Sequence, residues 1–591
     1  MKKISFKVRS GENINKKRLV TAMVFFAVLL TGLLCRLFYI QIMCHDDLAE
    51  AAVSQYEITL EGMDTRGRIF DRNMKPITGG TYQYYYIIKK GNLTVEGERL
   101  LEKLGARQIA SSDSQYLVYR TENYMEEINE KLESCCGAYV FRSPSRYSDS
   151  QTACHLVGYL NQSEKRGVSG LEYLFEQILK ADSRKLVIRA DAAGNILKGW
   201  APYIKGYDNN VPENNSVVTS LELGLQKKCE SLLEGISSGA CIVTDSGSGQ
   251  VLAMASVPTF NPNRISDYIS ENISADSDCL INKSLQAAYP PGSVFKLVTA
   301  AAALENGVCT PSQKYRCTGE TRIEGISISC STAPEGGHGE IDMYEAMAKS
   351  CNCYFAQLGR DTGAEKILET AEKLGLGSAV LENFPEENTG FVPDEETTAL
   401  QDISNISIGQ GQLLATPLQI ARMTGIIAQG GNDVPLQLLA EQRAVSASQA
   451  VPASSEGREG GTAAVASAAA SGSAGLEGRR QVITPQTAET LQDLMGGVMT
   501  RGTGFYPDWT MAVWGKSGTA EASCRGREVK DCWFTGFCDV NLPDGGETES
   551  AAAKRLVITV FAEDGVSGSA TALPIFREIT EYLQSHVNDI M

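Results

Sequence analysis

The stretch AAYPPGSVFKLVTAAAALENG, residues 287–307, decides how the largest part of this chain folds. Two prolines and a glycine interrupt the backbone just before an apolar, alanine-rich run that ends at Gly307, which predicts a helix beginning at or next to Ser293. Ser293 and Lys296 are three residues apart, so their side chains share one face of that helix. A serine hydroxyl needs a base to become a nucleophile, and a lysine with a removable proton can serve as that base. Alone, however, the pair is more typical of a helix-capping serine followed by a surface lysine.

The protonation state of Lys296 decides whether it can act as that base. Burial and a neighbouring cation both lower the pKa of a lysine, and Lys516 is the candidate for that cation. We therefore expect Lys296 to be largely neutral at pH 7. The N-terminus of the helix beside Ser293 also favours an oxyanion that develops there.

A second polar motif, SCN at residues 350–352, lies within IDMYEAMAKSCNCYFAQLG. Apolar residues at helical spacing flank it on both sides, so the hydroxyl of Ser350 and the carboxamide of Asn352 are predicted to enter a cleft between two helices. The alternative is a serine and an asparagine that only interrupt or cap a helix.

A third motif, KSGT at residues 516–519, follows the apolar MAVWG and predicts a strand. Gly518 marks a place where a ligand can approach the backbone. Lys516 and the hydroxyls of Ser517 and Thr519 are suited to hold a substrate carboxylate there. The alternative is an edge-strand lysine beside a turn.

Composition divides the chain around these motifs. The run GACIVTDSGSGQVLAMAS, from Gly239, predicts a hairpin that opens one large domain at residues 239–585. Residues 443–478 are Ala, Ser and Gly with almost no large apolar side chains, so we expect a disordered insertion there, with an alanine-rich helix as the alternative. Residues 206–238 are predicted to be a linker helix region.

The segment before that linker, residues 44–205, mixes strand-like and helical stretches. Residues 82–89 are typical of a strand and residues 122–134 of a helix. The segment therefore predicts a separate α+β domain, and the whole chain is predicted to belong to the α/β (α+β) multi-domain class.

The N-terminus combines a cationic leader with an apolar run. Residues 1–18 hold seven basic side chains and one acidic one, and residues 19–43 are mostly apolar over more than the roughly 20 residues needed to cross a bilayer. We expect a cytoplasmic tail and a single transmembrane helix, with the rest of the chain outside, because a positive leader stays in the cytoplasm. The alternative is a cleavable signal peptide, for which Ala49-Glu50-Ala51 has the look of a processing site.

Charge and cysteine content argue against two classes of site. A formal net charge of -17 at pH 7 argues against nucleic acid as a partner. Sixteen cysteines and four histidines contain no CxxC pair or Cys/His spacing typical of zinc, so no metal and no cofactor are expected. Cys317 and Cys330 are predicted either to form a disulfide or to remain free, buried thiols. Glu521, His155 and His338 are interpreted as structural or loop residues.

The three motifs S-x-x-K, S-x-N and K-[ST]-G, in this order, resemble the motif set of penicillin-binding proteins and serine β-lactamases. Further segments resemble class B penicillin-binding proteins in particular, namely RGRIFDRN (66–73), HLVGYLN (155–161), GVSGLEYLFEQIL (167–179), PTFNPN (258–263), SIGQG (407–411), TPLQIA (416–421) and WFTGF (533–537). This chain departs from the family pattern in two places. Met74 stands where the family usually has glycine, and the insertion within the transpeptidase domain is unusual.

The resemblance implies a membrane-anchored α+β pedestal, or dimerisation, domain followed by a serine β-lactamase-like transpeptidase domain with an antiparallel sheet packed between helices. It implies a D,D-transpeptidase that cross-links peptidoglycan through a serine acyl-enzyme. Ser293 would attack the penultimate D-Ala carbonyl, and Lys296 would be the general base. Ser350 would relay a proton toward the leaving amine, and Asn352 would bind the substrate amide.

The same resemblance implies the roles of the third motif. Lys516, Ser517 and Thr519, with Gly518 between them, would hold the terminal carboxylate of the substrate. The backbone N–H groups of Ser293 and Thr519 would form the oxyanion hole.

The resemblance also implies where the protein acts and with what. It implies insertion in the bacterial cytoplasmic membrane with the catalytic domain outside, and peptidoglycan stem peptides and lipid-linked precursors as substrates. β-Lactams would be covalent inhibitors, and a membrane-embedded glycosyltransferase and division or elongation proteins would be partners. The alternatives are a β-lactamase or antibiotic sensor, a D,D-carboxypeptidase, a bifunctional enzyme with its own glycan polymerase, and a catalytically silent scaffold.

Overall fold

The structure is a computed structural model. It describes residues 16–43, 57–60, 66–109, 115–161, 166–180, 185–190, 196, 203–205, 216–271, 277–323, 325–381, 383–394, 402–440, 479–524, 526–540 and 554–590. The predicted insertion at 443–478 lies outside the described residues.

The helices are α1 (Lys16–Phe38), α2 (Val95–Lys103), α3 (Glu126–Cys136), α4 (Cys154–Val157), α5 (Gly170–Leu174), α6 (Glu176–Leu179), α7 (Leu223–Leu232), α8 (Ile265–Glu271), α9 (Lys296–Glu305), α10 (Met343–Ala348), α11 (Asn352–Thr362), α12 (Ala364–Lys373), α13 (Ile403–Ile406), α14 (Pro417–Ala428), α15 (Pro485–Arg501), α16 (Leu573–Ser585) and α17 (Val587–Ile590). The strands are β1 (Glu57–Leu60), β2 (Ile69–Phe70), β3 (Thr81–Lys89), β4 (Arg107–Ile109), β5 (Tyr116–Thr121), β6 (Tyr139–Ser145), β7 (Lys185–Arg189), β8 (Tyr203–Lys205), β9 (Val217–Val218), β10 (Gly239–Asp245), β11 (Val251–Val257), β12 (Tyr315–Cys317), β13 (Glu320–Ile323), β14 (Ile326–Ser329), β15 (Gly339–Ile341), β16 (Asn432–Asp433), β17 (Arg480–Gln481), β18 (Val513–Cys524), β19 (Arg527–Val540) and β20 (Lys554–Ala562).

Helix α1 carries the apolar run near the N-terminus. A π-helical turn, Tyr39–Met43, continues it, and the stretch Arg18–Met43 is long and apolar enough to cross a membrane. Its large apolar side chains are exposed, which an aqueous protein surface would disfavour. The segment therefore fits a single-pass membrane anchor.

The described chain divides into two compact units, of which the smaller is drawn from residues 1–65, 83–143 and 183–208. It contains the sheets β4-β5-β3-β6 and β1-β7-β8. Leu100 and Leu101 of α2 and Leu132 of α3 pack against Tyr86 and Ile88 of β3. Helices on a sheet make this unit an α+β fold.

Two local predictions fall in this region. The strand predicted at 82–89 is confirmed as β3, whereas the helix predicted at 122–134 begins later, at Glu126, and ends later, at Cys136. The backbone of Met125 is extended, so the helix starts after it, and Gly137 ends the helix in the left-handed conformation that glycine adopts readily.

The larger unit comprises residues 66–82, 144–182 and 209–591. The first two of these ranges join it because β2 pairs in parallel with β9 and because Arg66 and Arg146 both form buried ion pairs with Glu172. The sequence analysis assigned both ranges to the segment 44–205. The division into domains remains a prediction, since a compact unit is not the same as an independently folding domain.

A five-stranded antiparallel sheet, in the order β11-β10-β20-β19-β18, forms the centre of the larger unit. Side chains of β19 alternate between its faces. Trp533 and Phe537 join a core that includes α9, α11 and α14, whereas Phe534 and Cys538 join a second core with α7 and α16. The predicted sheet between helices is therefore confirmed.

The elements that carry the three motifs are also those predicted. The hairpin from Gly239 is β10 and β11, and the helix at Ser293 begins with the 3-10 turn Gly292–Phe295 and continues as α9. Helices α10 and α11 flank SCN, and KSGT lies in β18, at the edge of the sheet.

Candidate active site

Ser293 lies in the tight turn that precedes α9. Gly292 takes a positive φ of 54°, and its N–H donates to the carbonyl of Gly409, 2.9 Å away, which ties the turn to the SIGQG segment. A Cβ on Gly292 would come within 2.8 Å of the carbonyl oxygen of Thr519. Only glycine therefore lets the Ser293 turn pack this closely against β18.

Lys296 lies one turn further along and is fully buried. Its Nζ is 3.0 Å from Ser293 Oγ and 2.7 Å from Asn352 Oδ1. The same Nζ donates to the carbonyl of Ser350 at 2.8 Å and approaches Ser350 Oγ at 3.2 Å. Lys296 thus connects the first two motifs through its amine.

The SCN motif is a sharp turn between α10 and α11. Ser350 has a φ of +54°, a left-handed conformation that is uncommon for a non-glycine residue. Cys351 begins α11, where its Sγ accepts from the N–H of Tyr354 at 3.4 Å. The Nδ2 of Asn352 donates to the carbonyl of Ser329 at 2.9 Å, so both ends of its carboxamide are engaged.

The KSGT motif places a second buried lysine beside the first. Lys516 is fully buried, and its Nζ is 3.1 Å from Ser350 Oγ and 2.7 Å from the carbonyl of Ser517. Both lysine amines therefore contact the hydroxyl of Ser350. Thr519 Oγ1 accepts from the N–H of Gly568 at 3.1 Å.

Gly518 allows β18 to approach the Ser293 turn. A Cβ there would lie 2.9 Å from Val294 Cγ2, 3.0 Å from the carbonyl oxygen of Pro291 and 3.1 Å from Trp533 Cβ. Two of these contacts are with atoms that cannot rotate away. The glycine is required by packing inside the protein, in addition to the ligand approach that the sequence predicted.

The two lysines have lowered pKa values, chiefly because they are buried. Burial lowers the pKa of Lys296 to about 8, while the nearby thiols of Cys351, Cys330 and Cys353 oppose the shift. Burial also lowers the pKa of Lys516 well below its ordinary value, and the charge of Lys296 lowers it further.

The expectation of a largely neutral Lys296 at pH 7 is therefore corrected. The pKa of Lys296 is lowered, as expected, but a value of about 8 leaves the amine mostly protonated at pH 7. The sequence analysis expected the charge of Lys516 to lower the pKa of Lys296. In the structure the charge of Lys296 instead lowers the pKa of Lys516, and the pKa of Lys296 is lowered by burial. Two charged amines around one hydroxyl repel each other, so only one of them is readily protonated in the resting site.

Thr503 is a site residue that the sequence analysis missed. Its Oγ1 is 2.7 Å from Ser517 Oγ, and its N–H donates to the carbonyl of Ala348, 3.1 Å away, just before SCN. Thr503 thus links the second and third motifs. It follows helix α15 in a Gly-rich turn, and a turn threonine carries no signal that would have distinguished it.

A cluster of potential metal ligands lies next to the SCN turn. The sulfurs of Cys317, Cys330 and Cys351 and a ring nitrogen of His338 all lie within 4.8 Å of one another. Cys317 and Cys330 have free thiols. The sequence analysis expected no metal site, because the spacing of the cysteines and histidines is not zinc-like, and it interpreted His338 as a structural or loop residue. The fold nonetheless brings the four residues together.

The other two residues set aside in the sequence analysis have different surroundings. His155 is buried, and Nε2 lies 2.8 Å from the carbonyl of Cys279, while burial lowers its pKa to about 4. Its ring packs edge-on against Phe260. Glu521 lies in β18, two positions beyond Thr519. Among the residues that the structure describes, neither side chain forms a hydrogen bond or an ion pair with the three motifs.

Comparison with known proteins gives one family and a consistent set of relatives. The model of the penicillin binding protein transpeptidase domain matches residues 239–581, more than half of the chain. The peptidoglycan D,D-transpeptidase MrdA of Acinetobacter baumannii is 26% identical over 472 residues, which cover 71% of this chain and 69% of the relative. The peptidoglycan D,D-transpeptidase PbpA of Mycolicibacterium smegmatis is 26% identical over 467 residues, which cover 74% and 82%.

Solved structures agree with this fold. One match is a chain from a study of the structural coordination of polymerization and crosslinking by a peptidoglycan synthase complex. The TM-score is 0.63 at 25% identity, and the match covers 96% of this chain and 98% of that one. The chain also matches penicillin-binding protein PBP2 from Helicobacter pylori in its complex with MreC, with a TM-score of 0.61, 21% identity and coverage of 90% and 99%.

Proposed function

Since this chain belongs to the penicillin-binding protein transpeptidase family and is a class B peptidoglycan D,D-transpeptidase, we propose that Ser293 is the nucleophile that forms its acyl-enzyme. The observation that carries this assignment is the contact of 3.0 Å between Ser293 Oγ and the buried amine of Lys296. In the reaction, Ser293 Oγ attacks the penultimate D-Ala carbonyl, and the terminal D-Ala leaves. An amine of a second stem peptide then takes the acyl group, which completes the cross-link and regenerates the serine.

Lys296 is the general base of the first step. Its neutral form accepts the proton of Ser293 as the Oγ–C bond forms, since it is already within hydrogen-bond distance. Ser350 Oγ lies within 3.2 Å of Lys296 Nζ and 3.1 Å of Lys516 Nζ, so it can relay the proton toward the leaving amine. Asn352 holds Lys296 through Oδ1 and binds the substrate amide.

Substrate binding itself activates the base. The terminal carboxylate of the stem peptide, held by Lys516, Ser517 and Thr519, stabilises the charged form of Lys516. A charged Lys516 lowers the pKa of Lys296 in turn, because both amines contact the one hydroxyl of Ser350. The mostly protonated Lys296 of the resting enzyme thus becomes a free base when a carboxylate-bearing substrate arrives.

The developing oxyanion is stabilised by backbone donors. The N–H groups of Ser293 and Thr519 belong to two segments that Gly292 and Gly518 allow to pack against each other. Such donors are fixed before the charge appears, so they need no reorganisation, and removing one typically costs about 10²- to 10³-fold in rate.

The proposed orientation rests on the charge of the leader, and the proposed partners rest on analogy with the relatives. The anchor α1 holds the chain in the cytoplasmic membrane, and the cationic leader stays inside, so the transpeptidase domain is extracytoplasmic. One structural relative is a peptidoglycan synthase complex and another is bound to MreC. By analogy, a membrane-embedded glycosyltransferase and division or elongation proteins are the partners of this chain, and β-lactams are its covalent inhibitors.

The reaction is tested with the full-length chain in detergent, an acyl-D-Ala-D-Ala peptide and a labelled D-amino acid as acceptor. The proposal predicts that the terminal D-Ala is released and the label is incorporated, and that Ser293→Ala loses both reactions. Release without incorporation at high acceptor concentration would instead indicate a carboxypeptidase. Rapid turnover of penicillin without peptide exchange would indicate a β-lactamase, and a folded but inert protein would indicate a scaffold.

A further inference from the structure

The donor stem peptide lies along the free edge of β18 in the proposed function. Strand β18 is the last strand of the five-stranded sheet, so one of its edges has no strand beside it among the described residues. The terminal carboxylate of the donor is held from Lys516 onward, and the carbonyl of the preceding residue is held at the N–H of Thr519. The donor therefore runs antiparallel to β18, and its earlier residues lie beside the part of the strand that follows Thr519.

The residue before the penultimate D-Ala, here called the third donor residue, lies beside Ala520 and Glu521. Adjacent residues of an extended chain are about 3.4 Å apart, and successive side chains of a strand point to opposite faces. Ala520 is fully buried, and a Cβ on Gly292 would lie 3.2 Å from its Cβ, so the Ser293 turn covers that face of β18. Glu521 is exposed on the other face. A long side chain on the third donor residue therefore extends over the face that Glu521 shares with Thr519.

Glu521 and Lys530 are two opposite charges on this face that are not paired with each other. The register places them directly opposite on β18 and β19, and both side chains are exposed. Within the part of the chain that the structure describes, neither forms a salt bridge, whereas Arg527 and Asp564 nearby are 3.1 Å apart. If Glu521 and Lys530 served only to stabilise the two strands, we would expect their charges to be in contact. Both charges are instead available to a ligand.

A loop places an apolar side chain on the same face. The loop that follows β20 is fixed at two points, since the N–H of Gly565 donates to the carbonyl of Lys530 and the N–H of Gly568 donates to Thr519 Oγ1, each at 3.1 Å. Val566 lies between these two points, and its side chain is 73% exposed. An apolar side chain beside two charges suits a ligand group that has a hydrocarbon stem and a charged end.

We propose that Glu521, Lys530 and Val566 recognise the third donor residue, and that the side chain of this residue ends in an ammonium and a carboxylate on one carbon, as that of a diaminodicarboxylic acid does. Glu521 binds the ammonium, Lys530 binds the carboxylate, and Val566 packs against the methylene stem. A lysine in the same place offers only the ammonium and leaves Lys530 without a partner. This specificity rests on the proposed function, because the position of the donor along β18 comes from it.

The expected preference is modest because the two charges are exposed. Contacts between exposed charges are weakened by water, so each should change kcat/KM by about two- to fivefold, and both together by about tenfold. The preference is tested with the full-length chain in detergent and three acyl-X-D-Ala-D-Ala donors that differ only at X, which is meso-diaminopimelate, lysine or norleucine. Release of the terminal D-Ala gives kcat/KM for each donor. We expect the diaminopimelate donor to exceed the norleucine donor about tenfold, with the lysine donor between them.

Two variants assign the contacts one by one. Glu521→Gln should make the lysine and norleucine donors equal, because the partner of the ammonium is lost. Lys530→Gln should make the diaminopimelate and lysine donors equal, because the partner of the carboxylate is lost. Glu369→Gln is the matched control, since Glu369 is an exposed glutamate on α12 that pairs with Lys373, and it should keep all three ratios. Each ratio compares donors within one variant, so a general loss of folded protein cancels.

Several outcomes would overturn this specificity and leave the transpeptidase reaction intact. These are equal kcat/KM values for the three donors in the unaltered protein, ratios that Glu521→Gln and Lys530→Gln do not change, or a lysine donor that exceeds the diaminopimelate donor. Failure of the proposed function looks different. If the unaltered protein releases D-Ala from none of the three donors, the proposed reaction is wrong, and the specificity is wrong with it.

Discussion

Two regions beside Lys296 are held in place by different means. The catalytic framework consists of α9 and β18, and the side chains of α9 from Lys296 to Ala303 are all buried in the apolar core. The hairpin segment, residues 315–341, consists of strands of three or four residues joined by turns, and most of its side chains are at least partly exposed. One region depends on apolar packing, and the other on a few polar and sulfur groups.

This difference determines which changes displace each region from its position in the active site. A helix that is apolar on all sides is stable only when it is buried, so α9 keeps its position as long as the core is filled. The hairpin segment buries too little apolar surface for that, and its contact with the active site runs through the Ser329 carbonyl and the cysteine cluster. Substitutions in the framework should therefore change the chemistry directly, whereas changes in the hairpin segment act through the position of Asn352 and Ser350.

The largest effect is expected from Lys296→Gln. The variant removes the base but retains a polar side chain that can contact Ser350 and Asn352, so acylation by penicillin should slow by about 10²- to 10⁴-fold. The rate of adduct formation measures this loss. Lys349→Gln is the matched control, since Lys349 is an exposed lysine next to SCN, and it should change the rate less than twofold. Equal losses in both variants would mean that the loss does not report base catalysis.

A smaller effect is expected from Gly518→Ala, which tests the packing of the framework. The added Cβ lies within 3.1 Å of Val294, Pro291 and Trp533, so β18 must move away from the Ser293 turn. Overpacking of this kind costs about 1–3 kcal/mol of stability, and a displacement of about 1 Å in the site costs about 10²-fold in rate. Thermal unfolding and acylation kinetics measure the two losses.

The control for that variant is Gly497→Ala in α15. A Cβ there meets only the flexible end of Arg501, at 3.6 and 3.8 Å, and alanine favours the helix. Stability should rise slightly and acylation should not change. Normal acylation by Gly518→Ala would show that the contact between β18 and the turn is looser than the structure indicates.

A third prediction concerns pH. The pKa of Lys296 in the resting enzyme is lowered to about 8, and only the neutral amine can act as the base. The second-order rate constant of acylation, which reports the free enzyme, should therefore increase about tenfold from pH 6 to pH 7. The increase should diminish around pH 8 and end above it, because the amine is then fully deprotonated. Stopped-flow acylation across this range measures the profile. A rate that continues to rise toward pH 10 would mean that Lys296 has the pKa of an ordinary lysine.

The smallest effect is expected from Thr503→Val, which removes a hydroxyl between the framework and the turn before SCN. The variant loses the hydrogen bond between Thr503 and Ser517, which contributes roughly 1 kcal/mol of free energy. We therefore expect about a fivefold lower rate of peptide exchange. Thr500→Val is the control, since the hydroxyl of Thr500 is exposed and contacts only its own helix at Gly496. Identical rates in the two variants would exclude a positioning role for Thr503.

The catalytic framework could be predicted from the sequence because local signals specify it. The prolines before Ser293, the spacing to Lys296 and the apolar run before Lys516 each determine an element within a few residues. The roles of these residues were inferred from the resemblance to penicillin-binding proteins, and that resemblance was recognised from the order of the three motifs.

The hairpin segment and its cluster could not be predicted in the same way. Its four ligands are separated by eight to thirteen residues, without the short C-x₂₋₄-C spacing of common zinc motifs, and only the fold brings them together. The left-handed Ser350 and the parallel pairing of β2 with β9 are likewise set by contacts far apart in the sequence. The degree of burial of Lys296, which determines its pKa, is also a property of the packed core.

The most direct test of the central claim is to locate the covalent adduct of benzylpenicillin on the full-length chain by intact mass and peptide mapping. The account predicts one persistent adduct per chain, on the peptide that contains Ser293, and none in a folded Ser293→Ala variant. An adduct that persists in Ser293→Ala, or that maps to another residue, would contradict the assignment of Ser293 as the nucleophile.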